Sequence, residues 1–302
     1  MSQISALKGG PARVIYFYLA VIVVSWAGNW PLMKLALADA PPLVFVLLRL
    51  IGTLLLMAPM LRALGAPLMP LPGERQGLFW VGQFQVTGFL LFAIAGLSIE
   101  APGRAIVLAY TFSLWAIPIG VLLGVERLSR PHLIGAGIGF AGLVLFMNPG
   151  LVDWSNARTL LGNAFLLLAA IAWALGSCLY RMRSWRSGFW IQTFWQMLVS
   201  TPVVLLFAVP QLTNEPVRWS IGLVAILAYN CVVTTALGYF LWAKILTEMP
   251  AATAGQVLAL TPVGGFLLSI AIFGGAVTLD VVAAIALIVA GIILTLRAPR
   301  AA

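Results

Sequence analysis

The chain has 302 residues, of which 62% are hydrophobic and only 8% charged, with a formal charge of +9. Too few charged groups are present to clothe a water-exposed surface, so the composition excludes an ordinary soluble domain and points to a chain dissolved in a bilayer. His132 is the single histidine, and Cys178 and Cys231 both fall inside apolar runs; a multi-histidine metal site and a disulfide framework are therefore excluded, and no cofactor or metal is expected.

Lipid offers backbone groups no partners, so each crossing needs a helix of about 20 mostly apolar residues. Ten stretches qualify, at 14–37, 42–62, 76–97, 102–124, 131–147, 158–182, 187–209, 219–245, 251–273 and 279–297, joined by short connections such as "LGAPLMPLPGER" at 64–75. The expected fold is an all-α membrane protein of ten transmembrane helices. The first stretch mimics a signal peptide, with Lys8 and Arg13 ahead of it and "ALA" at 36–38, but its apolar run is too long for that and Lys34 stands before the supposed cut. It carries Ser25, Trp26 and Asn29. The second holds Arg49, roughly 10 Å from its start at 1.5 Å per residue. Along the third, Gln76, Trp80, Gln83 and Thr87 recur at helical spacing as one polar stripe. The fourth contains Tyr110, Trp115 and Pro118. Small residues Gly135, Gly139 and Gly142 line the fifth, and Ala283, Ala286 and Ala290 offer a matching face on the tenth; such faces let helices approach closely, within one chain or across a homodimer. Trp173 lies in the sixth, Gln192, Trp195 and Gln196 in the seventh, Asn230, Thr234 and Tyr239 in the eighth, and Gln256 with "TPVGG" at 261–265 in the ninth. Trp154, Trp185, Trp190, Trp219 and Trp242 lie near span ends, as interfacial belt residues do.

Twelve of the 17 basic residues share one side if the N-terminus is inside, while Asp39, Glu100, Asp153, Glu215 and Asp280 occupy the other. The excess of Lys and Arg marks the cytoplasmic side, so both termini are expected there, and the charge speaks of orientation rather than nucleic acid.

"VLAYT" at 107–111 returns as "VLALT" at 257–261, an offset of 150 that also pairs Ala101 with Ala251, Gly124 with Gly274, and Gly88-Phe89 with Gly238-Tyr239. Earlier the offset is 147, pairing Trp26 with Trp173, Lys34 with Arg181 and Arg49 with Gln196. Residues 1–150 and 151–302 thus read as two copies of a five-helix unit. Five is odd, so the second copy is inverted, which implies a pseudo-two-fold axis in the membrane plane and alternating access between the halves.

Ten spans, the inverted repeat, "SWAGNW" at 25–30, Arg49, Tyr110 and Pro118, "GVERLS" at 124–129 and the glycine-rich fifth span together resemble the drug/metabolite transporter superfamily, EamA family. Within it, length and Trp and Gln content look most like YddG-type exporters of aromatic amino acids. The resemblance implies an amino-acid exporter in a bacterial inner membrane. Ala276 stands where "GVE" has Glu126, so that glutamate has no symmetric role.

The candidate substrate-binding residues are Trp26, Asn29, Arg49, Trp80, Gln83, Thr87, Tyr110, Trp173, Asn230, Tyr239 and Gln256. For the neutral polar residues, lining a solute path competes with interhelical bonding; for the mid-span tryptophans Trp26, Trp115, Trp173 and Trp195, a cavity wall competes with core filling or a lipid-facing position; for Arg49, pairing with a substrate carboxylate competes with snorkelling or a structural partner. No acid falls at mid-membrane, which points to facilitative or exchange transport rather than an embedded proton relay, with Glu100 in reserve. Sugar-phosphate and cationic-compound export are the alternatives, and absence of "HExxH" and "GxSxG" weighs against an intramembrane enzyme.

Overall fold

The computed structural model describes residues 10–125, 129–147, 155–273 and 278–297. Lys8, Glu126, Arg127, Asp153, Trp154, Gly274, Ala276 and Arg300 lie outside them, and with them the asymmetry between Glu126 and Ala276. The helices are α1 Gly10–Ala36, α2 Pro42–Ala63, α3 Pro72–Ile99, α4 Pro102–Leu122, α5 Arg130–Met147, α6 Ala157–Arg181, α7 Phe189–Asn214, α8 Ile221–Glu248, α9 Ala251–Phe273 and α10 Leu279–Arg297. Among the described residues, nine are long and apolar enough to cross a membrane, and α5 is a shorter apolar helix.

Local sequence sets the starts. Proline occupies the first turn of α2, α3 and α4, where a missing amide costs nothing. Asn156 Oδ1 accepts the Arg158 amide at 2.9 Å to open α6, and Ser220 Oγ accepts the Leu223 amide at 3.0 Å to open α8. Side-chain ties then group the connections on two faces. Glu74 accepts the Arg186 and Ser187 amides, and Ser187 Oγ accepts the Leu71 amide, joining the connections after α2 and α6 on an arginine-rich face. On the opposite face the Arg218 amide donates to the Asp39 carbonyl, and Ser220 Oγ donates to Asp39 Oδ2 at 2.6 Å.

The two copies run in opposite directions. Leu43 of α2 meets Gln211 of α7, while Met57 and Leu61 meet Ile191 and Phe194, so these equivalent helices are antiparallel. The same holds for α5 and α10: Gly135 lies on Gly291 and Thr295, and Gly142 on Ala284 and Ile288. A Cβ on Gly291 would sit 2.5 Å from the Gly139 amide nitrogen, so backbone meets backbone here. The glycine face of α5 is thus occupied by α10 of the same chain, but through Ala284, Ile288, Gly291 and Thr295. Ala283, Ala286 and Ala290, the expected partners, are exposed, because the contacting face of α10 is rotated one to two residues further along the chain.

Equivalent irregularities recur in both copies. α3 is a π-helix over Gly82–Gly88 and α8 over Asn230–Leu237. α4 breaks between Ala109 and Phe112, and α9 between Leu258 and Leu260, so both breaks fall on the repeated "VLAYT" and "VLALT". Thr111 Oγ1 donates to the Leu108 carbonyl at 2.7 Å, competing with the helix ladder at the first break; Pro262, which lacks an amide and frees the Leu258 carbonyl, accounts for the second. Lys34 Nζ closes the end of α3 on the Leu97 carbonyl at 2.6 Å and the Glu100 carbonyl at 3.1 Å. Its counterpart Arg181 closes the end of α8 on the carbonyls of Leu246 and Met249. A cation satisfies orphan carbonyls at each helix end, once on each face.

Candidate functional site

The π segments build the centre. A π turn loosens its own carbonyls, and four take donors from neighbouring helices: Thr234 from Trp26 Nε1 at 3.1 Å, Gln85 from the Tyr239 hydroxyl at 3.2 Å, Gly82 from Ser200 Oγ at 3.1 Å, and Cys231 from Thr53 Oγ1 at 3.3 Å. These bonds hold Trp26 and Tyr239 at mid-depth against Trp173. The Trp26 and Trp173 ring centroids are 5.2 Å apart at 88°, Trp173 and Tyr239 5.3 Å, and Trp173 and Phe89 4.8 Å. Edge-to-face contacts of this kind add about 0.5–1.5 kcal/mol per pair and fix the rings in place.

Above this floor, toward the face bearing Asp39 and Glu100, lies a cavity whose walls include Trp30, Met33, Arg49, Ala93, Ile94 and Tyr110. Centres of water molecules find about 40 Å³ in it. At roughly 10–15 Å³ per water that is room for a few waters, so a larger solute requires the walls to part. Arg49 is 4% exposed; its Nε donates to Thr235 Oγ1 at 2.5 Å and its Nη1 approaches Met33 Sδ at 3.8 Å. Neither partner is charged, and among the described residues Arg49 makes no ion pair. A guanidinium held without a counter-ion in a low-dielectric site is costly and strongly attracts an anion. Two further polar atoms beside the cavity, Asn29 Oδ1 and Trp173 Nε1, have no hydrogen-bond partner among the described residues. The Trp pair is therefore symmetric in position only: Trp26 spends its N–H on Thr234, and Trp173 keeps its own free.

Of the residues expected from sequence, the structure brings Trp26, Asn29, Arg49, Tyr110, Trp173 and Tyr239 together around this cavity. The other five lie elsewhere. Trp80 is 50% exposed beside Phe79 and Phe84; Gln83 donates to the Val199 carbonyl of α7 and accepts from Thr87; Asn230 donates to the Ile226 carbonyl of its own helix. The π turn rephases α3 midway along the stripe, so a face reckoned at 3.6 residues per turn does not persist through it. Gln256 lines a separate small void with His132, Thr253 and Thr295.

One tryptophan departs from expectation. Trp242 is 1% exposed within the central cluster, 5.8 Å from Trp173 and 6.0 Å from Phe112, because α8 continues to Glu248 and places it a turn and a half from the end. Trp115, placed at mid-span by sequence, is 36% exposed on the outside of α4 and so takes the lipid-facing alternative rather than a cavity wall. Sequence reasoning passed over Trp30, Met33, Phe89 and Phe112. The signals were present: Trp30 and Met33 follow Trp26 at i+4 and i+7, and Phe89 is the repeat partner of Tyr239. Glu100 sits at the end of α3, ion-paired at 2.8 Å with Arg104 and away from the cavity.

Duplicated, oppositely threaded helices around a central void, walled by aromatic rings and holding one buried cation, define a polytopic membrane transporter. The EamA-like transporter family model matches twice, over residues 13–148 and 160–297, and the chain belongs to that family. It is 25% identical over 301 residues to the uncharacterized transporter YvbV of Bacillus subtilis (strain 168), covering 95% of this chain and 93% of that one. It is 24% identical over 287 residues to a probable amino-acid metabolite efflux pump of Salmonella typhimurium (strain LT2), covering 91% and 92% of the two chains. A solved crystal structure aligns over 93% of this chain and 96% of its own with a TM-score of 0.73 at 18% identity, which establishes a shared fold.

Proposed function

We propose that this transporter exports neutral amino acids, aromatic ones among them, in the manner of YddG-type exporters, by alternating access through the cavity above Trp26, Trp173 and Tyr239. The carrying observation is Arg49, a buried cation without a counter-ion beside aromatic walls. In this reading Arg49 pairs with the substrate carboxylate, Asn29 Oδ1 accepts from its ammonium, and the rings hold the side chain. The name of the Salmonella relative, a probable amino-acid metabolite efflux pump, is in keeping with it. A sugar phosphate would favour a second cation beside Arg49 and a cationic compound an acid, and neither lines the cavity.

Residues 1–150 and 151–302 act as the two rocking units, with both termini in the cytoplasm, the arginine-rich face cytoplasmic, and a bacterial inner membrane as the setting. The working unit is a single chain. Transport is facilitative or by exchange, a reading supported by the lack of a carboxylate among the described residues that border the cavity. Counterflow in proteoliposomes against amino acids, sugar phosphates and cationic dyes tests this. Acceleration by phenylalanine and tryptophan is expected; competition by dyes alone overturns the substrate class, and a strict requirement for a pH gradient overturns the mechanism.

A further inference from the structure

The repeat relates each wall of the cavity to a residue on the arginine-rich side. Phe89, Leu90, Ala93 and Ile94 of α3 correspond at offset 150 to Tyr239, Phe240, Ala243 and Lys244 of α8. Met33, Val46 and Arg49 correspond at offset 147 to Tyr180, Thr193 and Gln196. When the units exchange roles, those counterparts line the passage open to the arginine-rich face. The exchange is not chemically neutral. Arg49 is replaced there by an amide, and apolar Ile94 by the ammonium of Lys244.

Lys244 now sits in an aromatic cage. Its Nζ lies 4.9 Å from the Phe240 ring centroid, 5.5 Å from Tyr18 and 5.8 Å from Phe189, on three helices, α8, α1 and α7. Trp190 stacks on Phe240 at 3.9 Å and stiffens that wall. Among the described residues Lys244 makes no ion pair, although Glu248 lies one turn along the same helix. Ring faces hold an ammonium less strongly than a charge-assisted hydrogen bond does, so the cage stores the cation without sequestering it from an arriving anion. Moving α1, in the first unit, away from α8, in the second, as opening this side demands, removes the Tyr18 ring and opens the cage on that side.

We propose that Lys244 is a second carboxylate station, receiving the substrate from the cytoplasmic side as Arg49 holds it on the far side. Each half-passage then owns one cation, on non-equivalent helices, so a carboxylate meets a positive partner in either state while the rings contact its side chain. The proposal rests on the amino-acid reading above and on the orientation given there.

Sided transport of phenylalanine by the full chain in proteoliposomes tests it. Lys244→Gln is expected to raise KM at the cytoplasmic face about tenfold, the loss of one charge-assisted bond, with KM at the other face within about twofold. Lys244→Arg restores it, and Arg49→Gln shows the reverse sidedness. Equal changes at both faces, or none, overturn the station. Should the glutamine variant fail to fold, acylation of wild-type Lys244 by a membrane-impermeant amine reagent, located by mass spectrometry, decides. Phenylalanine slows it and phenylalaninamide, lacking the carboxylate, does not; equal protection by both overturns the proposal. Failure of the wild type to move any amino acid overturns the substrate reading and this inference together, whereas normal phenylalanine counterflow with an unchanged Lys244→Gln profile overturns the station alone.

Discussion

Around the aromatic floor, the half of the passage facing Asp39 and Glu100 contains a void, while the half facing the arginine-rich connections is packed shut, although repeat-related residues build both. On the packed side Ser177, counterpart of Trp30, is a hub: its Oγ accepts from Gln85 Nε2 at 2.9 Å and Trp242 Nε1 at 3.2 Å, and donates to the Trp173 carbonyl at 2.8 Å. Next to it Gly176, counterpart of Asn29, lets α6 touch α3, where an added Cβ would meet the Gln85 amide nitrogen at 2.7 Å. The Tyr180 hydroxyl donates to Gln192 at 2.5 Å and completes the closure. One copy places an asparagine, a tryptophan and an arginine where the other places a glycine, a small hydroxyl and a glutamine. Inverted repeats supply two alternative states, and the residues that differ between copies set which state is preferred.

Substitutions can break this comparison or sharpen it. The largest effect is expected from Trp173→Ala, which removes a ring that both halves lean on; stability falls by about 3–5 kcal/mol, read as thermal unfolding in detergent, and counterflow is lost. Arg49→Gln comes next, lowering phenylalanine counterflow about tenfold while the melting temperature holds or rises, because an uncompensated buried charge is gone. A melting temperature that drops sharply instead would make Arg49 structural. Ser177→Ala strips the hub from the packed half and leaves two donors without an acceptor, a cost of about 1–2 kcal/mol that shifts populations roughly 5–30-fold toward opening. Faster alkylation of a reporter cysteine introduced by Ala243→Cys would register that shift, and an unchanged rate would show that the hub does not gate. Smallest are Lys34→Ala and Arg181→Ala, each removing a helix-end cation and costing about 1 kcal/mol or less, with similar melting shifts for the pair if the two ends are equivalent.

The fold was legible because lipid leaves a chain few options: apolar runs of the right length must be helices, and a fixed offset must be a duplication. Trp26 and Trp173 were expected to flank one cavity because the repeat relates them, and both rings border the void. Trp80, Gln83 and Thr87 illustrate the limit, since a stripe reckoned on regular helix geometry does not survive the π turn at Gly82–Gly88. Trp242 was assigned to the belt because hydropathy alone cannot tell that α8 extends to Glu248.

Sequence by itself thus determined that the protein is a membrane-embedded, twice-repeated helical bundle, since this follows from the length and polarity of its apolar runs and from the fixed offset between its halves. Only the tertiary structure decided which side of the passage is closed, that Arg49 faces a void without a counter-ion, and that Lys244 rests among rings from three helices. Those facts depend on the rotation of each helix about its axis and on contacts between residues far apart in the chain, which no run of neighbouring letters encodes.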